Sequence, residues 1–468
     1  MKRTTYLMLI AFIIFPFVAL PQNSNRFAGS WSGRLDIGAI KLRLGLNFRD
    51  TSGILAATLD SPDQGAYGIK TDKTTVEGGV IRVEANALMA SYEGTIQQGD
   101  TLISGKWLQG GKTFDLLLHK TIKPVKLKRP QEPKPPYPYK EEEVKITNEK
   151  AGIELAGTLT LPAGKGPFPA VVLITGSGPQ NRNEELMGHK PFLVIADYLS
   201  RNGIAVLRYD DRGVGQSKGE FGRATTFDFA DDAEAAFVFL EKHPLVDKKR
   251  TGLAGHSEGG IIAPIVASRN KNVDFIILLA GTGVDGEQIL NAQTAKIMGA
   301  EGAKPFEIEK ILKLNSEIYQ IVKHEHDSAV AMKLMTNAIE KYVRSDTSIK
   351  ENDKESQIRQ SAAGLSPMTS PWMRAFLVLD PRQYLVKVKC PLLDINGSKD
   401  LQVPCEMNQQ AIEKALNSGG NKDYKIIKLE GLNHLFQHCK TGSPAEYSDI
   451  EETFAPEALQ AVKDWILR

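Results

Sequence analysis

After residue 141, six short and almost wholly apolar runs alternate with amphipathic segments, and this alternation constrains the fold more than any other feature. The runs are "AVVLITG", "IAVLRYD", "TGLAGHS", "FIILLAG", "LLDING" and "YKIIKLEG". Helix-like stretches lie among and after them: "PFLVIADYLSRNG", "FADDAEAAFVFLEKH", "GGIIAPIVASRN" and the closing "PEALQAVKDWILR". A strand apolar along its whole length is buried on both faces. Such strands alternating with helices predict an α/β fold, a mostly parallel sheet covered by helices on both sides. Ligands bind such sheets at the carboxyl ends of the strands. "VKITNEKAGIELAGTLTLP" reads as a hairpin leading into the sheet.

The alternation stops over residues 285–381, where "FEIEKILKLNSEIYQIVKHEHDSAVAMKLMTNAIEKYV" is helical and amphipathic. A helical segment inserted between two strands is expected to form a cap over the strand ends. Before the sheet, residues 25–121 run in short alternating segments such as "KLRLGLNF", "VIRVEA" and "FDLLLHK", separated by turn residues. They predict a small antiparallel β-barrel or sandwich, a structural or substrate-shielding module rather than a ligand-binding barrel. Residues 122–140, with Pro124, Pro130, Pro133, Pro135, Pro136 and Pro138, predict an extended, semi-rigid spacer. Residues 141–468 then form one α/β domain.

The first 22 residues read as a secretory signal: Lys2 and Arg3 precede an apolar run too short to span a bilayer. A periplasmic or secreted protein without stable membrane insertion is expected. The formal net charge is +2, and both excess charges, Lys2 and Arg3, lie in that segment. The remainder is electrically balanced, which gives no footprint for nucleic acid. Three cysteines are too few for a disulfide framework.

Gly255-His256-Ser257-Glu258-Gly259 fits G-x-S-x-G, with a strand-like run before and a helix-like run after. That context places Ser257 on a tight turn from which its hydroxyl projects as a nucleophile. A serine needs a histidine to take its proton and an acid to orient the histidine. His434 follows the last predicted strand, and Asp400 lies in a turn past "PLLDING". Asp394 sits within that strand and is the weaker acid; Asp285, Asp210 and Asp211 follow other strands as turn or packing acids. Two backbone N–H donors are needed for the oxyanion. Glu258 supplies one, and Ser177 in "LITGSGPQNRNEE" the other, with Gly178 as second choice.

The segments "ITGSGPQNRNEE", "LRYDDRGVGQSKG", "GHSEGG", "SPWMRAFLVLDP", "GSKDLQVP" and "GLNHLFQ" resemble the α/β-hydrolase superfamily, specifically secreted bacterial carboxylesterases. "GSWSGRL" and "LDSPDQGAYGI" are similar to the β-module that precedes some of these enzymes. The resemblance implies Ser257, Asp400 and His434 as a triad under a helical cap. Thr175 stands where many relatives of the wider fold carry histidine before the oxyanion glycine.

The expected activity is hydrolysis of a small-molecule carboxylic ester through an acyl-enzyme, with no metal or organic cofactor. Trp372, Arg374 and Phe376, at the exit of the inserted segment, are candidates for the acyl pocket. A capped aminopeptidase is the nearest rival; it would need a carboxylate such as Glu307 or Glu309 to hold the substrate amine. A thioesterase is also compatible with the triad. A binding protein with a silent hydrolase domain is a rival of a different class, and the intact triad argues against it. "GTGVDG" lacks the following strand and acid of a dinucleotide site. His324 and His326 alternate on a helix and splay apart. Cys405 and Cys439 each lie five residues past Asp400 and His434, so a disulfide clamping the two loops is expected, with Cys390 a buried thiol. Oligomeric state is not legible.

Overall fold

The computed structural model describes residues 26–37, 41–51, 54–64, 66–97, 99–124 and 127–468. The expected signal peptide lies outside the described residues. Among the described residues no helix is long and apolar enough to cross a membrane. The chain divides into two compact units, Met1–Lys126 and Leu127–Arg468.

The first unit is a nine-stranded antiparallel sheet. Its strands are β1 (Gly29–Asp36), β2 (Lys41–Thr51), β3 (Ile54–Ser61), β4 (Ala66–Lys70), β5 (Lys73–Glu77), β6 (Val80–Ala85), β7 (Ala90–Ile96), β8 (Leu102–Gln109) and β9 (Lys112–Thr121). They pair in the order β4-β3-β2-β1-β9-β8-β7-β6-β5, and β3 packs beside β5, so the sheet curls back on itself. The alternation in sequence is the alternation of faces. In β6, Ile81, Val83 and Ala85 are buried while Arg82 and Glu84 are exposed. Trp31, Leu46, Ile81, Tyr92, Ile103 and Leu116 fill the concave side.

The second unit is an eight-stranded sheet in the order β10-β11-β13-β12-β14-β15-β16-β17. The leading hairpin is β10 (Lys140–Asn148) and β11 (Ile153–Leu161). The six apolar runs form β12 (Phe168–Ile174), β13 (Ala205–Tyr209), β14 (Val246–His256), β15 (Ile276–Leu279), β16 (Leu392–Gly397) and β17 (Tyr424–Leu429). These six are parallel to one another, as expected. Helices α1 (Pro191–Arg201), α2 (Thr226–Glu241) and α3 (Gly259–Arg269) connect the early strands. In β12, Ala170, Val172 and Ile174 face one hydrophobic layer, with Phe237 of α2 and Val266 of α3. Val171 and Leu173 face the other, with Ile195 of α1 and Val462 of the closing helix. Each such buried aliphatic side chain contributes about 1.5–3 kcal/mol. Two-sided burial is why β12 to β16 read as continuous apolar runs, whereas β17, at the sheet edge, is only half-buried and carries Lys425 and Lys428.

Between β15 and β16 lie α4 (Gly286–Ala300), α5 (Pro305–His324), α6 (Ser328–Ser345), α7 (Glu351–Ala363), α8 (Pro371–Val378) and the short α9 (Arg382–Leu385). The middle helices close on their own apolar cluster, with Val322 of α5, Met335 and Ile339 of α6 and Ile358 of α7. "GTGVDG" leads from β15 into α4, where the Asp285 side chain caps the helix by accepting from the Gln288 N–H. His324 is the last residue of α5, and His326 lies beyond it. After β16 come α10 (Cys405–Ser418), β17 and α11 (Pro456–Leu467).

The stretch from Leu127 to Tyr139, expected as an unpacked spacer, is instead held along the second unit. The Arg129 guanidinium donates to the carbonyls of Met187, Gly188, Ser448 and Ile450 at 2.8–3.1 Å. Gln131 Nε2 donates to the Phe454 carbonyl at 2.7 Å. The fork of donors on one arginine lets it meet several carbonyls of different segments at once.

Candidate active site

β14 ends at His256 and α3 begins at Gly259, so the strand turns into the helix within two residues. Ser257 takes the whole strain of that turn: its φ is +54°, in the left-handed region, while its N–H donates to Leu279 O at 2.9 Å. For a residue other than glycine that conformation costs about 1–2 kcal/mol. The flanking glycines are dictated by close backbone approach. A Cβ on Gly255 would lie 1.9 Å from Gly259 O, and one on Gly259 would lie 2.3 Å from Ile174 O. The five-residue pattern is therefore a statement about space around the turn.

Asp400 lies in the loop after β16, with one carboxylate oxygen accepting the N–H groups of Gln402 and Val403, both at 2.8 Å. Its other oxygen is 2.8 Å from His434 Nδ1. Nδ1 thus carries the proton, and Nε2 is left to accept one. His434 sits in the loop after β17, which the Asn433 side chain folds by accepting from the N–H groups of Leu435 and Gln437. Ser257 and His434 line one cavity of about 280 Å³ together with Ser177, Glu258, Trp372 and Phe376. The structure thus brings the three expected residues to the carboxyl ends of β14, β16 and β17. Asp394 does not reach the cavity; it is buried within β16.

The loop after β12 reaches the same cavity and is pinned by acids. Asp211 accepts from the Thr175 hydroxyl at 2.8 Å and from the Gln180 N–H at 2.9 Å. Burial pushes the Asp211 carboxyl up to about 7, against those two hydrogen bonds. Thr175 therefore anchors the loop through its hydroxyl. Asp210 accepts from Arg182, both from its N–H and from its guanidinium, at 2.8–3.0 Å. Gly176 N–H is already given to Glu184 at 2.9 Å, which leaves the Ser177 N–H as the next donor along the loop. Gly178, the second choice, lines a smaller void beneath rather than the main cavity.

Glu258 does more than offer its N–H. Its carboxylate is buried and accepts from Thr226 Oγ1 of α2 at 2.6 Å and from Trp372 Nε1 of α8 at 2.8 Å. Burial holds its pKa above the ordinary glutamate value, against the hydrogen bonds from Thr226, Trp372 and the Ser177 hydroxyl. Trp372 stacks on Phe376 with ring centroids 4.8 Å apart, so the inserted helices present an aromatic wall to the cavity.

Two expectations are corrected. Arg374 does not line the pocket; its guanidinium turns away to the carbonyls of Val322 and Glu325 at the end of α5, where a cation complements the helix terminus. Cys405 and Cys439 are not joined: all three cysteines are free. The Cys405 thiol points along α10 to Gln409 Oε1 at 3.2 Å, and that of Cys439 points to Gly431 O at 3.4 Å. Equal spacing from Asp400 and His434 does not guarantee facing thiols. Glu307 accepts the Lys304 N–H at the start of α5 and Glu309 is exposed, and neither lines the cavity.

Sequence reasoning missed Glu184 and His256, which face each other at 2.9 Å beside His434. His256 stood next to the nucleophile, but no spacing rule pairs it with a glutamate 72 residues away. Among the described residues no cluster of three His, Cys, Asp or Glu side chains is arranged to hold a metal ion.

A family model described as serine aminopeptidase, S33, matches residues 190–361, which takes in the elbow and much of the insertion. The chain is similar to esterase EstD of Thermotoga maritima, 28% identical over 294 residues, 63% of this chain and 61% of the relative. It thus spans about three-fifths of that relative's length. It is also similar to acyl-coenzyme A thioesterase 3 of Mus musculus, 28% identical over 127 residues, 27% of this chain and 26% of the relative. An esterase of Pyrococcus furiosus superposes with a TM-score of 0.42 at 16% identity, covering 70% of this chain and 91% of that one. The strand order, the elbow, the family match and the sequence similarity to an esterase together show an α/β-hydrolase fold with an N-terminal antiparallel β-domain ahead of it in the chain.

Proposed function

We propose that the chain is a serine carboxylesterase. The observation that carries the reading is the convergence of Ser257, in its left-handed turn, and the hydrogen-bonded His434–Asp400 pair on one cavity. In this mechanism His434 Nε2 takes the Ser257 proton as Oγ attacks the ester carbonyl. Asp400 fixes the tautomer and stabilises the imidazolium that forms. The N–H groups of Ser177 and Glu258 hold the oxyanion. His434 then returns the proton to the departing alcohol, and water activated by the same histidine frees the acid.

The cavity favours an ester over a peptide with a free amino terminus. Its wall carries Ile289, Leu290, Trp372 and Phe376 from the inserted helices, which act as its cap. The carboxylates that reach it, Glu184 and Glu258, are already engaged with His256, Gly176, Thr226 and Trp372. None is free to hold a substrate ammonium, which an aminopeptidase requires. The volume of about 280 Å³ suits a small acyl group. The amino-terminal residues support export to the periplasm or beyond, and fractionation of expressing cells tests that.

The experiment compares the wild-type chain with Ser257→Ala on nitrophenyl esters of increasing acyl length and on aminoacyl nitroanilides. Ester turnover confined to short chains and lost in the variant is the expected result. Anilide cleavage exceeding ester turnover moves the assignment to a peptidase, and activity surviving in Ser257→Ala removes the elbow from the chemistry.

A further inference from the structure

The ring of His256 is buried between two acceptors. Nε2 lies 3.0 Å from His434 O, a carbonyl that can only accept, so Nε2 carries a proton. Nδ1 lies 2.9 Å from Glu184 Oε1, and that same oxygen accepts the Gly176 N–H at 2.9 Å. The pair thus joins three pieces of chain: the loop that presents the Ser177 N–H, the strand end that carries Ser257, and the loop that carries His434. The His256 and His434 rings lie 4.7 Å apart by their centroids.

We propose that His256 and Glu184 form a charged positioning clamp for the acyl-transfer site, an imidazolium and a carboxylate that hold the oxyanion loop and the base loop in register with the nucleophile. The proposal rests on the esterase reading for its kinetic consequence, though the protonation of the pair does not depend on it. An imidazolium donates from both nitrogens and meets both acceptors; a neutral ring could meet only one unless Glu184 held the proton. The ionisable groups that face the ring are Glu184, His434 and Asp400. Burial by itself lowers the pKa of His256. The Glu184 charge and hydrogen bond, the His434 carbonyl and the Asp400 charge together hold it above the ordinary histidine value. Glu184 itself adopts a left-handed backbone, φ +52°, a strained conformation where the loop turns back to bring its carboxylate under Gly176.

Both residues line the cavity, but the atoms that form the clamp are engaged with each other, with the Gly176 N–H and with the His434 carbonyl, so their effect falls on orientation. In Glu184→Gln the amide keeps the shape but loses the charge that holds the ring doubly protonated. A neutral ring, its proton kept on Nε2 by the His434 carbonyl, can only accept at Nδ1, and an amide turned to present its NH2 there has no oxygen left for Gly176. We expect kcat on a nitrophenyl ester to fall about 10²-fold, the cost of a small misplacement, with KM changed less than about 3-fold. The melting transition confirms that the variant is folded.

The second measurement is independent of turnover. Nitrogen NMR of histidine-labelled Ser257→Ala protein, with the native clamp intact, is expected to show His256 doubly protonated at about pH 7, where an ordinary histidine is mostly neutral. A His256 ring neutral at that pH overturns the charged clamp, and a folded Glu184→Gln variant with unchanged kcat overturns its positioning role. Ester turnover surviving in Ser257→Ala would instead overturn the assignment of the reaction to Ser257, while the NMR result would stand.

Discussion

His434 Nδ1 and Asp400 Oδ2 are 2.8 Å apart, and the opposite oxygen of the same carboxylate is fixed by two backbone N–H groups. The aspartate is therefore pinned in one orientation, with its other face committed to the imidazole.

That pinning gives Asp400→Asn a definite outcome. The amide oxygen must stay with the Gln402 and Val403 N–H groups, so the amide NH2 faces His434 Nδ1. The ring is forced into the tautomer with its proton on Nε2, which cannot accept from Ser257. We expect kcat for a nitrophenyl ester to fall about 10³- to 10⁴-fold with KM little changed, the loss expected when a triad histidine is held in the wrong tautomer. Steady-state kinetics on the folded variant checks it, and a loss under about tenfold would mean that Asp400 does not orient the base.

A second acid, Asp394, is buried in β16 with neither carboxylate oxygen hydrogen-bonded among the described residues. Gln409, the polar side chain that acts on it, is engaged with Ile427 O and the Cys405 thiol. Burial pushes Asp394 up from 3.8 to about 7. The folded chain then binds a proton that the unfolded chain has released, so stability is greatest below about pH 4 as far as this group is concerned and falls as pH rises to about 7. The full shift corresponds to at most about 4 kcal/mol. Asp211, also raised to about 7, titrates in the same direction. Asp394→Asn should remove about 1–3 kcal/mol of the loss between pH 5 and 8. Urea unfolding of both proteins at the two pH values measures this, and parallel pH dependences would mean that Asp394 carries no such penalty.

The thiols give a direct chemical check. Burial pushes Cys390 and Cys405 up to about 12 and raises Cys439 as well. Few thiolates exist at neutral pH, so titration with a disulfide reagent should be slow in the native protein and slowest at buried Cys405. In denaturant without prior reduction all three cysteines should react. A single reactive thiol there would restore the Cys405–Cys439 bridge, as would a melting temperature that drops on adding reductant.

Local sequence was sufficient for the elements and for the order of the candidate triad. Apolar runs buried on two faces can form only inner strands, so β12 to β16 were legible as they stood, and the interruption after β15 marked the inserted helices. The elbow was legible because its glycines answer to a backbone crossing within five residues. The pairing of His434 with Asp400 was legible because chain order and strand ends restrict which histidine and which acid can meet there.

What the sequence could not supply was direction. Arg374 sits on α8 between two residues that face the cavity, Trp372 and Phe376, yet its guanidinium leaves for the end of α5. Cys405 opens α10 and Cys439 lies in the loop after β17, and their thiols are turned to Gln409 and to the Gly431 carbonyl. The Glu184–His256 pair joins residues with no periodic or spacing relation. Periodicity reports which residues share a face of one element. Where a side chain on a loop points is set by the backbone groups left unpaired around it, and those exist only once distant segments have packed.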